Sequence, residues 1–383
     1  MRARRLTRLP HPRPPVLVAV PGERIDSRHR PFTSRPPVRH GALRAWPFDR
    51  GRGRDERHGS AVGPQATVIL PAKDAADYIG TTLATLARQF DEPSALKVVV
   101  IDDGSTDDTA AVVRHFASRF DRFELLTNAR PVRLASARNQ ALPHIEGDYF
   151  CFIDGDDWMQ PGRVAALVSS MRHLGCDFVR TDHVTSTEGR RQLVRAPYPW
   201  RGVVASPRDA ILPDDDTTMV DYPYAWAGMF HRKLVDKGLI GFPEGLFTAE
   251  DRPWIWRLHL RAKSFAVVDA PAILYRRGVP TSLTQITDER QLDFLPAFAE
   301  AVAVVEGDAE SARFLPKIVA TTLAVCAHHL HRSGRMSAPV RRRLRTGVGE
   351  LVAAMPAPEV DAALRAMPDR RRHRLAGILR GAR

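Results

Sequence analysis

The chain predicts an α/β fold: a mainly parallel, Rossmann-like sheet flanked by helices. Three observations predict it. From residue 66 onward short strands alternate with amphipathic helices, the pattern of βαβ units. The strands are apolar throughout instead of alternating, as strands covered on both faces are. Two of them end in acidic clusters, and ligands of open α/β sheets bind beyond the carboxyl ends of the strands.

Thr67-Val68-Ile69-Leu70 forms the first strand, closed by Pro71. Ile79, Leu83, Leu86 and Phe90 then recur along one face of a helix. Lys97-Val98-Val99-Val100-Ile101 is a second strand, ended by Asp102-Asp103-Gly104-Ser105. Thr109 opens a helix that turns Val112, Val113, Phe116 and Phe120 inward, and Phe123 to Leu126 is a third strand. Leu134 to Leu142 is helical. The apolar run Tyr149-Phe150-Cys151-Phe152-Ile153 leads straight into Asp154-Gly155-Asp156-Asp157. A helix follows, with Pro161 at its start and Val164, Leu167, Val168 and Met171 on its apolar face. Residues 185–224 lose regular periodicity and suit a variable substrate region. From Gln291 the pattern is helical again, through Leu292, Leu295, Phe298 and Val302, then Leu315, Ile318, Val319, Thr322 and Leu323.

Charge divides the chain of 383 residues. Residues 1–60 hold 15 Arg against 5 acids, and residues 341–383 hold 11 Arg against 4, while residues 61–340 carry a net −4. The basic excess is therefore confined to the ends, which argues against nucleic acid as a partner of the body. The Arg- and Pro-rich segment 1–60 has no sustained periodicity and is expected to be disordered. A basic arm, a transit peptide and a start codon placed too early all fit it. The C-terminal arginines (Arg341 to Arg343, Arg370 to Arg372) are either a solvated helical face or a contact for anionic lipid head groups. Three widely spaced cysteines show neither disulfide nor zinc spacing. No apolar run is long enough to cross a membrane, so the expected location is cytoplasmic, with the inner face of the membrane within reach of the basic tail.

Three carboxylates at one strand end repel one another unless something positive lies among them, and a divalent cation takes oxygen ligands while leaving room for phosphates. The plainer alternative is a helix-capping turn. No GxxxxGK[ST] loop is present and no G-x-G-x-x-G follows the first strand, which argues against a P-loop or dinucleotide site.

Taken as an ordered set, several segments resemble family 2 glycosyltransferases of the GT-A fold. They are Thr67 to Pro71, Val100 to Asp107, Ala137-Arg138-Asn139, Phe152 to Asp157 with Pro161, Glu250-Asp251 with Arg257, and Tyr275-Arg276 with Ser282. The match covers roughly residues 66–285. It implies inverting transfer of a sugar from a nucleotide-diphosphate donor, of UDP type, to a hydroxyl of a glycan or glycolipid acceptor, assisted by Mn²⁺ or Mg²⁺. By that resemblance Asp103 contacts the uracil, with the backbone of Pro71 and Ala72 beside it. Asp156 is a ribose or phosphate partner, Asp157 the metal ligand and Arg138 a basic residue near the diphosphate. Asp251 is the general base, with Glu250 tuning it through like charge. Trp226 lies in the acceptor-side segment, where its indole either faces a sugar or joins the core. Of Trp254 and Trp256, one is expected in the core and the other at the cleft.

Two departures from the family pattern stand out. Lys73-Asp74 occupies the place where relatives carry an aromatic residue and Asn, and Arg277-Gly278 follows Tyr275-Arg276 where relatives often carry His. The expected organisation is 1–60 disordered, 61–285 the GT-A domain (61–160 donor half, 161–285 acceptor half), 286–340 a helical extension and 341–383 a basic helical tail. A sugar-nucleotide nucleotidyltransferase lacks support because Lys73 to Asp77 is not a Gly-rich basic loop. A non-catalytic sugar- or nucleic-acid-binding module is opposed by the acidic body.

Overall fold

The computed structural model describes residues 63–279 and 286–379. The expectation for residues 1–60, and the Ser282 portion of the motif set, lie outside the described residues.

The chain runs β1 (Ala66–Ala72), α1 (Ala76–Leu86), β2 (Leu96–Asp102), α2 (Thr109–Phe116), β3 (Arg122–Thr127), α3 (Leu134–Ala141) and β4 (Tyr149–Phe152). It continues through β5 (Trp158–Met159), α4 (Arg163–Leu174), β6 (Phe178–Arg180), β7 (His183–Thr187), β8 (Arg190–Val194), β9 (Gly228–His231) and α5 (Lys233–Asp236). Next come α6 (Asp251–Arg261), β10 (Phe265–Val267) and β11 (Ile273–Arg276), then the helices α7 (Phe294–Glu306), α8 (Ser311–Arg332), α9 (Ala338–Ala354), α10 (Ala357–Ala366) and α11 (Asp369–Leu379).

Seven strands form the main sheet in the order β10-β6-β9-β4-β1-β2-β3. All seven residues of β1 and of β2 are buried, as helices on both faces require. β1 is parallel to β2 and to β4, with Ala72 beside Asp102 and Ile69 beside Phe152. The two acidic turns therefore leave the same edge of the sheet, one on each side of Pro71-Ala72. β9 runs antiparallel between β4 and β6. Gly228 makes that insertion possible, because a Cβ there would lie 2.1 Å from the Val179 carbonyl oxygen.

A smaller sheet, β5-β11-β7-β8, carries Trp158 and Arg276 on neighbouring strands. The region beyond residue 286 is helical as expected. The division anticipated at residue 340 falls inside α9, whose Leu344, Val348 and Val352 are buried. Two arginines of the C-terminal runs are held by their own neighbourhood: Arg341 donates to the Met336 carbonyl, and Arg343 pairs with Glu289.

Both Trp254 and Trp256 are fully buried, which corrects the expectation that one borders the cleft. Residues two apart lie on different faces of a helix, yet α6 is apolar on more than one face and is covered on each: Trp254 packs on Phe230 and Phe242, and α7 lies against the helix elsewhere.

Candidate active site

The first acidic turn is held by hydrogen bonds from its own loops. The Asp103 amide donates to the Ala72 carbonyl at 2.9 Å. Its carboxylate accepts from the Asn128 side-chain amide (2.9 Å) and the Val132 amide (2.7 Å) at Oδ1, and from the Arg133 amide (2.9 Å) at Oδ2. Asp102 accepts from the Ser105 amide at 3.1 Å. Gly104, at φ +64°, lets the turn approach Pro131, whose nitrogen a Cβ would meet at 2.8 Å. The departure at Lys73-Asp74 belongs to the same network. Asp74 accepts from the Thr106 amide at 2.7 Å, and its own amide donates to the Ser105 hydroxyl. Its ion pair with Lys73 and that Thr106 bond hold its carboxyl below the usual range.

The second acidic turn is short of partners. The Thr82 hydroxyl of α1 reaches the carbonyls of Gly155 and Asp157, fixing the turn from below. Asp157 is 1% exposed. Its Oδ1 accepts from the Arg276 amide at 2.8 Å, and its Oδ2 is buried without a partner. Burial, then the charges of Asp156 and Asp154, push Asp157 well above the carboxylate range. Burial and Asp154 likewise push Asp156 up to about 6.

Arg276 braces this turn. Its Nε donates to the Asp156 carbonyl at 2.9 Å, and its guanidinium lies 4.9 Å from the Tyr78 ring and 4.6 Å from the Trp158 ring. The motif Tyr275-Arg276 was visible in the sequence, but nothing there assigned Arg276 this bracing role.

A hard cation fits here. An orphaned, buried carboxylate oxygen beside two further carboxylates is the donor chemistry that Mg²⁺ or Mn²⁺ takes. Among the described residues no three His, Cys, Asp or Glu side chains converge on one metal position. Remaining ligands would therefore come from substrate phosphates and water.

Arg138 links this turn to the far half of the chain. The residue sits on α3 and is 3% exposed. One terminal nitrogen bonds Asp154 Oδ1 at 2.9 Å and the other bonds Glu250 Oε1 at 3.1 Å. Burial opposes its charge, but Asp154 and Glu250 outweigh that and raise its pKa. The neighbouring Asn139 exchanges two 2.8 Å hydrogen bonds with the Phe242 backbone, tethering the loop that leads to Glu250.

That loop ends at Ala249, a non-glycine residue at φ +64°, immediately before Glu250 and Asp251 open α6. Burial and the adjacent Asp251 push Glu250 up to about 7. Burial raises Asp251 as well, against Arg252 and Arg138. The side chain of Asp251 keeps 28% of its surface exposed, and its contact with Arg252 is a long 3.8 Å. It remains the accessible carboxylate of the pair.

The turns carrying Asp103, Asp156 and Asp157 flank Pro71-Ala72 on one edge of the sheet, and Arg138 ties the second of them to Glu250-Asp251. Trp226 is 4% exposed. Its indole stacks on Tyr224 with centroids 4.8 Å apart and packs against His183 and Tyr275. The buried His183–Tyr222 hydrogen bond within that cluster has no counterpart in the sequence reading.

Residues 67–237 match the profile of glycosyl transferase family 2. Among curated relatives, the uncharacterized glycosyltransferase EpsJ of Bacillus subtilis (strain 168) is 24% identical over 232 residues, covering 60% of this chain and 66% of EpsJ. The poly(ribitol-phosphate) beta-N-acetylglucosaminyltransferase TarS of Staphylococcus aureus (strain Mu50) is 26% identical over 255 residues, covering 64% of this chain and 41% of TarS. The succinoglycan biosynthesis protein ExoU of Rhizobium meliloti (strain 1021) is 36% identical over 120 residues, covering 31% of this chain and 33% of ExoU. The chain thus spans less than two thirds of the length of these relatives. The crystal structure of S. aureus TarS 1–349 with UDP-GlcNAc superposes with a TM-score of 0.63 at 18% identity, over 83% of this chain and 92% of that one. That likeness establishes the fold.

Proposed function

Because the chain belongs to glycosyl transferase family 2 through residues 67–237, we propose that it transfers a sugar, with inversion, from a UDP-type donor to a hydroxyl of a cell-envelope or extracellular glycan. One observation carries the reading: a carboxylate-rich strand end holding an orphaned Asp157 Oδ2 is tied, through Arg138, to the buried Glu250 and accessible Asp251. The UDP-GlcNAc bound by TarS and the polymers named for TarS and ExoU support the donor type and the acceptor class.

In this reading Asp157 would hold Mn²⁺ or Mg²⁺, which when bound neutralises the charge on the departing diphosphate, and Asp156 beside it is the ribose or phosphate partner. Pro71 and Ala72 border the base. Asp103 holds the 128–133 loop over the base and keeps one Oδ2 lone pair for the base itself. Asp251 accepts the proton of the acceptor hydroxyl as its oxygen attacks the anomeric carbon from the face opposite the diphosphate. The bond from that carbon to the diphosphate oxygen breaks, and the electron pair leaves with the nucleoside diphosphate. Glu250 and Arg138 position the base and shape its charge. Trp226 supports Tyr224 and Tyr275 at the acceptor side. Among the described residues no helix is long and apolar enough to cross a membrane, and we place the reaction on the cytoplasmic side.

The test is a screen of nucleotide sugars for donor hydrolysis and for thermal stabilisation, with Mn²⁺ and with a chelator. At least one UDP-sugar should raise the melting temperature and be cleaved only with the metal. No binding by any nucleotide sugar in either condition would remove the reading.

A further inference from the structure

The four large hydrophobic side chains that the described residues expose all lie within twelve positions: Leu193 (53%), Trp200 (64%), Val203 (53%) and Val204 (43%). Single exposed apolar residues need no explanation, but a concentration does. The stretch 190–204 also carries Arg190, Arg191, Arg195 and Arg201 and no acid. Arg201 is committed to Asp182 at 2.8 Å. Arg190, Arg191 and Arg195 are exposed and form no ion pair with a described carboxylate.

The exposure does not come from loose chain. The Asp182 carboxylate also accepts from the Ala196 amide, and Arg201 reaches back to the Ala196 carbonyl at 3.2 Å. Tyr198 packs on Phe265 with centroids 5.0 Å apart. The Gly202 amide donates to the Val267 carbonyl, and Ala205 bridges Phe265. The segment is pinned through its backbone, Tyr198 and Arg201, and still exposes four apolar side chains and three arginines. β8, which carries Leu193, is the outer edge of the smaller sheet, with no strand beyond it among those described.

We propose that this basic, Trp-bearing surface docks on an anionic lipid bilayer. An amphipathic indole with aliphatic neighbours suits the head-group boundary, and unpaired arginines suit an anionic leaflet. Exposed aliphatic side chains favour lipid over a polyanionic glycan, which would take the arginines and the indole but not Leu193, Val203 and Val204. The smaller sheet runs from this edge, through β7 and β11, to Arg276 and Trp158 at the acidic turn. Docking would hold the site beside the leaflet, within reach of an acceptor carried on a lipid.

The full chain should float with phosphatidylcholine vesicles containing about a third phosphatidylglycerol at physiological ionic strength. Bromine in the acyl chains should quench its tryptophan emission, and Trp200→Phe should remove most of that quenching. A joint Leu193→Ser, Trp200→Ser, Val203→Ser, Val204→Ser variant should partition about tenfold less. A joint Arg190→Gln, Arg191→Gln, Arg195→Gln variant should lose about a hundredfold on anionic vesicles and little on neutral ones. Melting temperatures should stay at the parent value, because every changed side chain is exposed. The proposal is overturned if the parent does not float, if quenching survives in Trp200→Phe, or if the serine variant partitions as the parent does. It is also overturned if the parent is a dimer without vesicles and the serine variant a monomer, which would make the patch a protein interface.

Discussion

Two acidic turns leave the same edge of one sheet, on either side of β1, and they are in opposite physical states. At Asp102-Asp103 the hydrogen bonds come from the protein itself: four donors from residues 105, 128, 132 and 133 converge on two carboxylates. At Asp154 to Asp157 the carboxylates face one another, one oxygen is orphaned, and protons are held more tightly than a carboxylate ordinarily holds them. In sequence the two read alike. The difference separates a carboxylate that spends most of its acceptor sites on its own loops from one whose oxygen is left without a donor, and the second is the stronger mark of a cation site.

The contrast can be broken or sharpened by mutation, and the largest effect should fall at Asp251, whose neighbour Glu250 is joined to the unsatisfied turn through Arg138. Asp251→Asn keeps size and hydrogen bonding but cannot take a proton. Transfer at saturating donor should drop by about 10²–10⁴-fold, with donor affinity nearly unchanged and Glu250→Gln milder. Parental rates from Asp251→Asn would take the base away from Asp251. Next, Asp157→Asn should weaken Mn²⁺-dependent binding of UDP by at least about tenfold, while the melting temperature in chelator holds or rises, since a buried, repelled carboxylate is removed. Calorimetry that finds UDP binding intact would end the metal assignment.

The opposite behaviour is expected at the satisfied turn. Asp103→Ala strands the amides of Val132 and Arg133 and should cost about 1–3 kcal/mol in denaturant unfolding. If it cost nothing while Asp157→Asn unfolded the chain, the comparison would be inverted. The smallest effect concerns pH. Glu250 stands at about 7 in the folded chain against an ordinary 4.5, so the native state keeps a proton that the unfolded chain releases. The stability this contributes is complete below about pH 4.5 and lost as pH rises through about 7. Melting curves of Glu250→Gln across that window should be flatter than those of the parent.

Much of the fold could be read from local pattern. The buried strands at 66–72, 96–102 and 149–152 and the stripe on α4 follow from apolar runs and helical spacing that each element carries within itself. The antiparallel β9 could not, because a strand as short as Gly228–His231 holds no sign of its direction. Burial of both Trp254 and Trp256 was equally hidden, since α6 is covered by partners distant in the chain: Trp254 packs on Phe230 and Phe242, and α7 lies against the helix. At the site, Asp154 to Asp157 announced itself by charge alone. Asp251 emerged only through the ordered set of family segments. The Arg138–Glu250 pair spans 112 residues, and no local pattern records a contact of that separation.

Arg138 carries one positive charge and divides it between two claimants, Asp154 in the acidic turn and Glu250 beside Asp251. Whatever satisfies Asp154 from outside leaves more of that charge to Glu250, and whatever protonates Glu250 returns it to Asp154. By thermodynamic reciprocity the two ends must then report on each other. Donor should bind with an uptake or release of protons at the acceptor side, and the affinity for donor should follow the protonation of Glu250. On the proposed reading, a single buried guanidinium in this way makes donor occupancy legible at Glu250 through the two ion pairs alone.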